Sequence, residues 1–360
     1  MKIFITGSSG YIGGMLVDRF LEDKAVEKIV ALDMRNSDLA TRSPSGGRVA
    51  FIKHNLSDPG WEEKVLAGGA PDVVIHCAWQ IRELYGERER QWKWNIGGSD
   101  RVFDFAFSNP SVKKFIYFST VASYGSYSDN TIKHRFMENE PFRESDYSYA
   151  EEKRIAEEHL QKKYEEKKSK GAAPQIFIVR PAAISGPRGR YQYIRFGLQS
   201  ALSGALKKQK SFLYEIISLW VSWVPVTPKW LRQYIHEDDV AEIVKLLSFS
   251  DINEGYEAFN IAPPGDAVFG KDMAEAVGKK MLPVYPWMVR AAFFFMWHLT
   301  RGQIPTSPGS WKGYSYPIAV DGSKITRLTE FQYKYSSKEA FKTKNGYYSQ
   351  FIYVPISSET

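Results

Sequence analysis

Cysteine is almost absent: Cys77 stands alone among 360 residues, so no internal disulfide can form and a reducing compartment is the simplest expectation. The six histidines never approach it, or one another, at the spacing of metal ligands, and no metal is expected. Long uncharged runs are missing too. The longest stretch free of Asp, Glu, Lys and Arg is Ile3–Val17, shorter than the roughly 18 residues a spanning helix needs and broken by four glycines. No strong charge excess appears either. The net charge of +7 is modest for this length, and the lysine-rich run from Lys162 to Lys170 interleaves with glutamates like a solvated helix end, so no nucleic-acid partner is expected. The chain enters an apolar strand at Met1, with nothing resembling a signal peptide before it, which leads to the expectation of a cytoplasmic location. What is plentiful is aromatic side chain, 15% of residues with 10 Trp, much of it beyond residue 190.

The first half alternates short β-branched runs with amphipathic helical stretches, the pattern of β-α-β units in a parallel sheet. Strands are expected at Lys2–Thr6, Lys28–Asp33, Val49–Lys53, Asp72–Cys77, Lys114–Ser119 and Gln175–Arg180, with helices at Tyr11–Leu21, Arg88–Phe107 and from Tyr149 to about Lys167. A strand at Gln233–His236, a helix at Asp238–Leu247 and a strand at Tyr256–Ile261 repeat the pattern late, so the sheet domain is expected to be discontinuous. The reading is an α/β chain: a Rossmann-like, doubly wound parallel sheet with a smaller C-terminal substrate-binding cap. Residues 1–184 and 233–262 form the first domain, and 185–232 and 263–360 form the cap.

Thr6-Gly7-Ser8-Ser9-Gly10-Tyr11-Ile12-Gly13 follows a strand and opens a helix, where glycines let the backbone turn tightly and approach a pyrophosphate at the positive helix end. Alone it is a weak signal, and a plain glycine-rich turn between strand and helix is the lesser alternative. Asp33 ends the next strand, placed to accept both hydroxyls of an adenosine ribose and to repel a 2′-phosphate; the pair points to a dinucleotide, NAD ahead of NADP, with Arg35 keeping NADP open. Tyr149 and Lys153 lie four residues apart on one helix face, where a cation beside a phenol favours the phenolate and suits it to act as a general base. Tyr164 and Lys168 share that spacing at the solvated helix end. Tyr149 is singled out because Ser119-Thr120 stands at the carboxyl end of a strand, where ligands of open α/β sheets bind.

In order and spacing, these motifs resemble an extended short-chain dehydrogenase/reductase of the NAD-dependent epimerase/dehydratase family. The likeness covers about residues 1–260, with a fainter continuation over Val320–Phe341, and includes His54-Asn55-Leu56-Ser57-Asp58, His76-Cys77-Ala78, Asn95, Arg180-Pro181 and Tyr234–Ala241. The resemblance implies a cofactor site of Gly7, Ser9, Gly10, Tyr11, Ile12, Gly13, Asp33, Leu56, Asp58, Ala78, Asn95, Lys153 and Pro181. Asp58 would meet the adenine, and Pro181 would lie beside the nicotinamide. Tyr149 would take the substrate's hydroxyl proton, Thr120 would hydrogen-bond the same oxygen, and Lys153 would hold the ribose. A homodimer through Arg88–Phe107 and Tyr149–Lys167 is implied as well.

Two family features are missing. Dehydratases of this type carry Asp-Glu after the catalytic Thr, but here Val121 and Ala122 follow, which argues against elimination of water by that route. Epimerases carry an Arg and a Gly-Asp ahead of the late Asp that Asp321 resembles; here the stretch reads Trp311–Pro317, leaving Arg232 and Lys312 as the candidate substrate cations. A nucleotide-sugar substrate is expected, with a bulky apolar, sterol-like alcohol or a non-catalytic NAD-binding regulator as alternatives. Cys77 reads as a small buried hydrophobe and His236 as structural. The aromatic stretches Phe212–Trp230 and Trp287–Trp297 read as cap core. Membrane contact through Lys207, Lys208 and Lys210 with Phe212–Trp220 stays open but unfavoured.

Overall fold

The computed structural model describes residues 1–36, 47–171, 173–189, 223–250, 252, 255–276, 280–343 and 345–349. Seven parallel strands form its central sheet: β1 (Lys2–Thr6), β2 (Lys28–Asp33), β3 (Val49–Lys53), β4 (Val73–His76), β5 (Lys114–Phe118), β6 (Gln175–Pro181) and β7 (Tyr256–Ile261). Their spatial order, 7-6-5-4-1-2-3, reverses direction between β1 and β4. That reversal opens a crevice outside the carboxyl ends of the two strands, the place where open α/β sheets bind ligands.

The sheet is buried on both faces, which explains its nearly continuous apolar strands. Within β1, Ile3 and Ile5 enter one core while Phe4 enters the other; in β2, Ile29 and Ala31 oppose Val30 and Leu32 in the same alternation. On the first face lie α1 (Tyr11–Leu21) and, after intervening helices, α6 (Glu237–Phe249), contributing Met15, Phe20, Val240 and Leu247. The second face is covered by α2 (Glu62–Gly68), α4 (Gly98–Ser108) and α5 (Ser148–Lys168), through Val65, Phe103, Phe105, Ala156 and Leu160.

Three expectations need correction. Arg88–Phe107 is not one regular helix: α3 (Arg88–Trp92) passes into a π-helical turn at Lys93–Gly97, where Gly98 N–H reaches back to the Lys93 carbonyl, before α4 begins. Gln233–His236 does not extend the main sheet. Its strand, Tyr234–His236, pairs in parallel with Ala183–Ser185, and only β7 joins the sheet late. The third correction concerns Trp287–Trp297. Downstream of α6 come α7 (Gly270–Ala276), α8 (Pro286–Leu299), α9 (Ser310–Ser315), α10 (Lys324–Thr329) and α11 (Ser337–Lys342), and in α8 only Val289 and Trp297 are buried. The aromatic stretch expected as cap core thus lines the outside. In Phe212–Trp230, Trp230 is buried and Trp223 is exposed, while Lys207, Lys208, Lys210 and Phe212–Trp220 lie outside the described residues.

Candidate active site

The turn after β1 is shaped by sterics. Gly7 has φ +70°, and a Cβ there would stand 2.6 Å from the Ala78 nitrogen; a Cβ on Gly13 would run into the Gly7 carbonyl. Gly10 N–H donates to that carbonyl at 2.9 Å, closing the turn just before α1. Three glycines therefore let β1, the segment after β4 and the first turn of α1 pack closer than side chains permit.

Asp33, at the end of β2, is buried and accepts the Ser9 N–H at 3.0 Å and the Arg35 N–H at 2.9 Å. Its carboxylate thereby holds the glycine turn against β2. Arg35 leans back with its Nε 3.5 Å from the same carboxylate, close beside Gly10, so a cation and an anion share this corner. Tyr11 and Ile12 open α1, but the Tyr11 hydroxyl hydrogen-bonds Glu237 at the start of α6.

A second constellation stands at the end of β4. Thr6 Oγ1 accepts the N–H groups of Cys77 and Ala78, both at 3.2 Å, so its own proton goes to His76 Nδ1 at 2.7 Å. His76 must then carry its proton on Nε2, donated to Ser99 Oγ at 2.9 Å. Burial, reinforced by the Lys153 charge, drives the imidazole down to about 3, so it is a neutral strut. Burial also pushes the Cys77 thiol upward, away from reactivity.

Asn95, inside the π-helical turn, grips the loop after β4 from both sides. Its Oδ1 accepts Gln80 N–H at 2.8 Å, and its Nδ2 donates to the Gln80 carbonyl at 3.0 Å and to Glu152 at 2.6 Å. Glu152, buried and raised above the usual carboxylate range by that burial, also receives Gln91 Nε2 at 3.3 Å. Asn95 thus ties the loop to α5, the helix of Tyr149 and Lys153. Leu56 and Asp58 sit farther out: Leu56 is buried with its carbonyl bonded to the Trp61 indole at 3.1 Å, and Asp58 pairs with Lys93 at 2.9 Å near the surface.

Lys153 is the most confined of these groups. It is 3% exposed, its ammonium bonds the Phe118 carbonyl at the end of β5, and it lies 3.7 Å from the Trp79 ring centroid and 4.7 Å from that of Tyr117. Burial outweighs the nearby carboxylates and lowers its pKa from 10.5 to about 7. Tyr149 stands one turn earlier on α5, half-buried, and Thr120 follows β5 two residues after Phe118, accepting Ala122 N–H at 3.2 Å. Tyr149 and Lys153 thus lie one turn apart on α5, Lys153 is bonded to the end of β5 that Thr120 follows, and Pro181 closes the neighbouring β6. Because the folded-state value of Lys153 lies below the unfolded one, the unfolded chain binds the extra proton and stability from this group rises as pH climbs from about 7 to 10.5. Urea titrations across that window should show a rise of up to about 1.4 kcal/mol per pH unit from this one proton. Lys153→Met should flatten it, and identical profiles would place the titration elsewhere.

On the cap side, Arg232 is half-buried and donates to the Gly313 carbonyl at 3.0 Å, bringing it next to Lys312. Lys312 pairs with Asp146 at 3.0 Å. Gly309, with φ +82°, is pressed so tightly on the Asp146–Tyr147 backbone that a Cβ would clash, which fixes this cap segment three residues ahead of Tyr149. Among the described residues, Arg232 has no carboxylate within ion-pair distance.

Sequence reasoning missed Thr6 as a hydrogen-bond node, together with Ser99, Glu152 and the Trp79 ring. Ser99 and Glu152 could have been flagged, the first lying one turn after Asn95 and the second directly before Lys153. His236 caps α6 through Nδ1, accepting Asp238 N–H at 3.1 Å, and donates from Nε2 to the Asn345 carbonyl at 3.1 Å, a structural position.

A dinucleotide fits these residues: the glycine turn brings the first turn of α1 close to β1 and the segment after β4 with no side chains in between, and Ser8 Oγ, Ser119 Oγ and Trp79 Nε1 are buried without partners among the described residues. The NAD dependent epimerase/dehydratase family matches residues 3–262. The chain belongs to that family. A putative UDP-arabinose 4-epimerase 4 of Arabidopsis thaliana is 33% identical over 131 residues, 34% of this chain and 30% of the relative. The chain spans about a third of the length of such curated relatives. A dTDP-glucose 4,6-dehydratase of Bacillus anthracis, solved with NAD, overlays with a TM-score of 0.69 at 17% identity over 97% of each chain. A UDP-glucose 4-epimerase of Thermotoga maritima, solved with UDP-glucose, overlays with a TM-score of 0.68 at 22% identity, over 98% of this chain and 100% of its own. Those overlays show the fold that the family shares.

Proposed function

We propose that this family member is an NAD-dependent enzyme acting at a secondary alcohol or carbonyl of a nucleotide-sugar-type substrate. The observation that carries the reading is the placement of Lys153, one helical turn from Tyr149 and buried against the end of β5, the strand that Thr120 follows by two residues. When bound, NAD supplies a nicotinamide carbon that takes up a hydride. The residues do the rest: the Tyr149 phenolate, favoured by the Lys153 charge, would take the hydroxyl proton and become the phenol, and Thr120 would hold the oxygen on the carbon being oxidised. Gly7, Ser9, Gly10, Tyr11, Ile12 and Gly13 would cradle the pyrophosphate; Asp33 would meet the ribose, Leu56 and Asp58 the adenine end, and Ala78 and Pro181 the nicotinamide end. Asn95 would hold the loop along the cofactor rather than touch it.

The division of labour follows the same lines. Residues 1–184 and 233–262 would carry the cofactor, and 185–232 and 263–360 the substrate, a split supported by a separate small core around Val224, Trp230, Val268 and Met273. A cytoplasmic homodimer is part of the proposal. Its support is that α4 and α5 lie side by side, joined by His159–Asp100 and Lys163–Asp104, as a pairing surface needs.

Arg232, half-buried and with no carboxylate within ion-pair distance among the described residues, is what favours a diphosphate over an apolar alcohol, because a partly desolvated guanidinium is stabilised by an anion. Thermal-shift assays of the NAD-loaded protein with UDP, GDP and dTDP test this. At least one should raise the midpoint, and Arg232→Ala should abolish the gain; no shift with any of them would turn the reading to the apolar alcohol.

For the cofactor, the expected result is that NAD binds at least tenfold more tightly than NADP, about 1.4 kcal/mol, since Asp33 would face a 2′-phosphate and repel it. Calorimetric titration with both decides. Equal affinities would mean that Arg35 compensates the carboxylate.

A further inference from the structure

Helix α8, Pro-Trp-Met-Val-Arg-Ala-Ala-Phe-Phe-Phe-Met-Trp-His-Leu, is apolar apart from Arg290 and His298, a composition normal for a helix buried on most sides. It is not so buried. Its inner stripe is anchored: Trp297 packs on Tyr85 at 5.4 Å, Phe293 on Tyr314 at 5.8 Å, and the Tyr85 hydroxyl meets His298 Nδ1 at 3.1 Å. The opposite stripe faces outward, with Trp287 68%, Phe294 58%, Phe295 62% and Leu299 83% exposed. Beside it the strand Lys280–Pro283 is exposed along its whole length, adding Met281 and Leu282. The patch therefore belongs to a helix held rigidly by its other side.

Along this part of the chain the charge has one sign. From Ala276 to Val320 the sequence contains five Lys or Arg and not one Asp or Glu. Lys280, Arg290 and Arg301 are exposed, and among the described residues none has a carboxylate within ion-pair distance. Lys280 and Arg290 lie over the rings of Trp223 and Trp311, at 5.7 Å each, so the cations flank the aromatic surface. Aromatic and aliphatic side chains on one face, flanked by cations on a stretch of chain that carries no acid, are what a helix lying in a lipid interface requires. No helix among the described residues is long and apolar enough to cross a membrane, so the contact would be peripheral.

We propose that α8 and the neighbouring Lys280–Pro283 strand form a docking surface for an anionic lipid bilayer, with Trp287, Phe294, Phe295 and Leu299 entering the headgroup region and Lys280, Arg290 and Arg301 meeting lipid phosphates. The inference does not depend on the reaction catalysed. It relocates the membrane contact from the lysine-rich segment before Phe212 to α8.

The test is co-sedimentation of the full chain with vesicles of phosphatidylcholine alone and with 30 mole per cent (about a third) phosphatidylglycerol, at low and at physiological salt. The parent protein should bind the anionic vesicles at least tenfold better than the neutral ones, and salt should weaken that binding. Phe294→Glu with Phe295→Glu should lower binding at least tenfold while leaving the circular dichroism and thermal midpoint unchanged, because both side chains are exposed. Brominated lipids should quench tryptophan fluorescence in the parent and less in Trp287→Phe. A parent protein that stays in the supernatant, or a double variant that binds like the parent, overturns the proposal. So does light scattering in which the parent is a dimer, the double variant a monomer and neither binds vesicles, since the patch would then be covered by a second copy.

Discussion

Replacing Tyr149 by Phe should lower turnover on the substrate by about 10² to 10⁴, the usual cost of a lost general base, while NAD affinity stays within a few-fold of the parent. The two readouts separate because Tyr149 is half-buried on the first turn of α5, while the glycine turn, Asp33 and Lys153 are unaltered. Removing one hydroxyl leaves the Lys153 ammonium on the Phe118 carbonyl, so no buried charge is stranded. Steady-state kinetics together with calorimetric NAD binding make the check. A variant that turns over at the parent rate would show that another group takes the proton; one that loses NAD as well would make Tyr149 a structural residue.

The largest stability effect should come from Glu157. Its carboxylate and the Arg180 guanidinium are only 4% and 6% exposed, with Arg180 Nε 2.9 Å from Glu157 Oε1. Arg180 also donates to the Tyr124 hydroxyl at 2.8 Å, which passes its proton to Asn260 Oδ1 at 3.0 Å, so one ion pair ties α5, β6, β7 and the segment after β5 together. Glu157→Ala would leave a guanidinium buried without a counter-charge, and should cost about 3–5 kcal/mol in urea unfolding. Glu157→Leu combined with Arg180→Met should recover most of that, because the costly state is the unpaired charge rather than the absence of the pair. A single variant within 1 kcal/mol (roughly the ordinary surface range) of the parent would mean that solvent reaches Arg180.

Much of this was legible because parallel strands covered on both faces must be apolar along their length. Lys2–Thr6 and Lys28–Asp33 read as strands from composition alone, and their bounds agree with the structure. The turn from Thr6 to Gly13 was equally visible, since steric closeness at Gly7 and Gly13 can be met only by the residue without a side chain. Other features left no such mark. Helix α2 buries only Val65, so it carries no periodic signal. Which strand Tyr234–His236 would pair with depends on contacts about 50 residues away, and two-residue alternation has no means of naming a partner. The site shows the same limit: Tyr149, Lys153 and Thr120 are recognisable side chains, but the group holding Lys153 is a backbone carbonyl, which any residue at position 118 would present. For α8, hydrophobicity said that the helix would be covered, without saying on how many sides.

The π-helical turn at Lys93–Gly97 makes the site sensitive to chain length in a way no substitution scan would reveal. A helix that reaches back to the fifth residue instead of the fourth contains, in effect, one surplus residue. Excising a single residue there would let the backbone revert to the commoner ladder, and nothing in the core would lose a side chain. The flanking turns would keep their faces, since the surplus residue is all that is removed, but the side chains inside the turn would be re-aimed, so Asn95 could no longer hold both Gln80 and Glu152. Such a shortened chain would fold with a full complement of site residues and a miswired crevice, which makes gaps and insertions in this turn more telling than residue identity when chains of this family are compared.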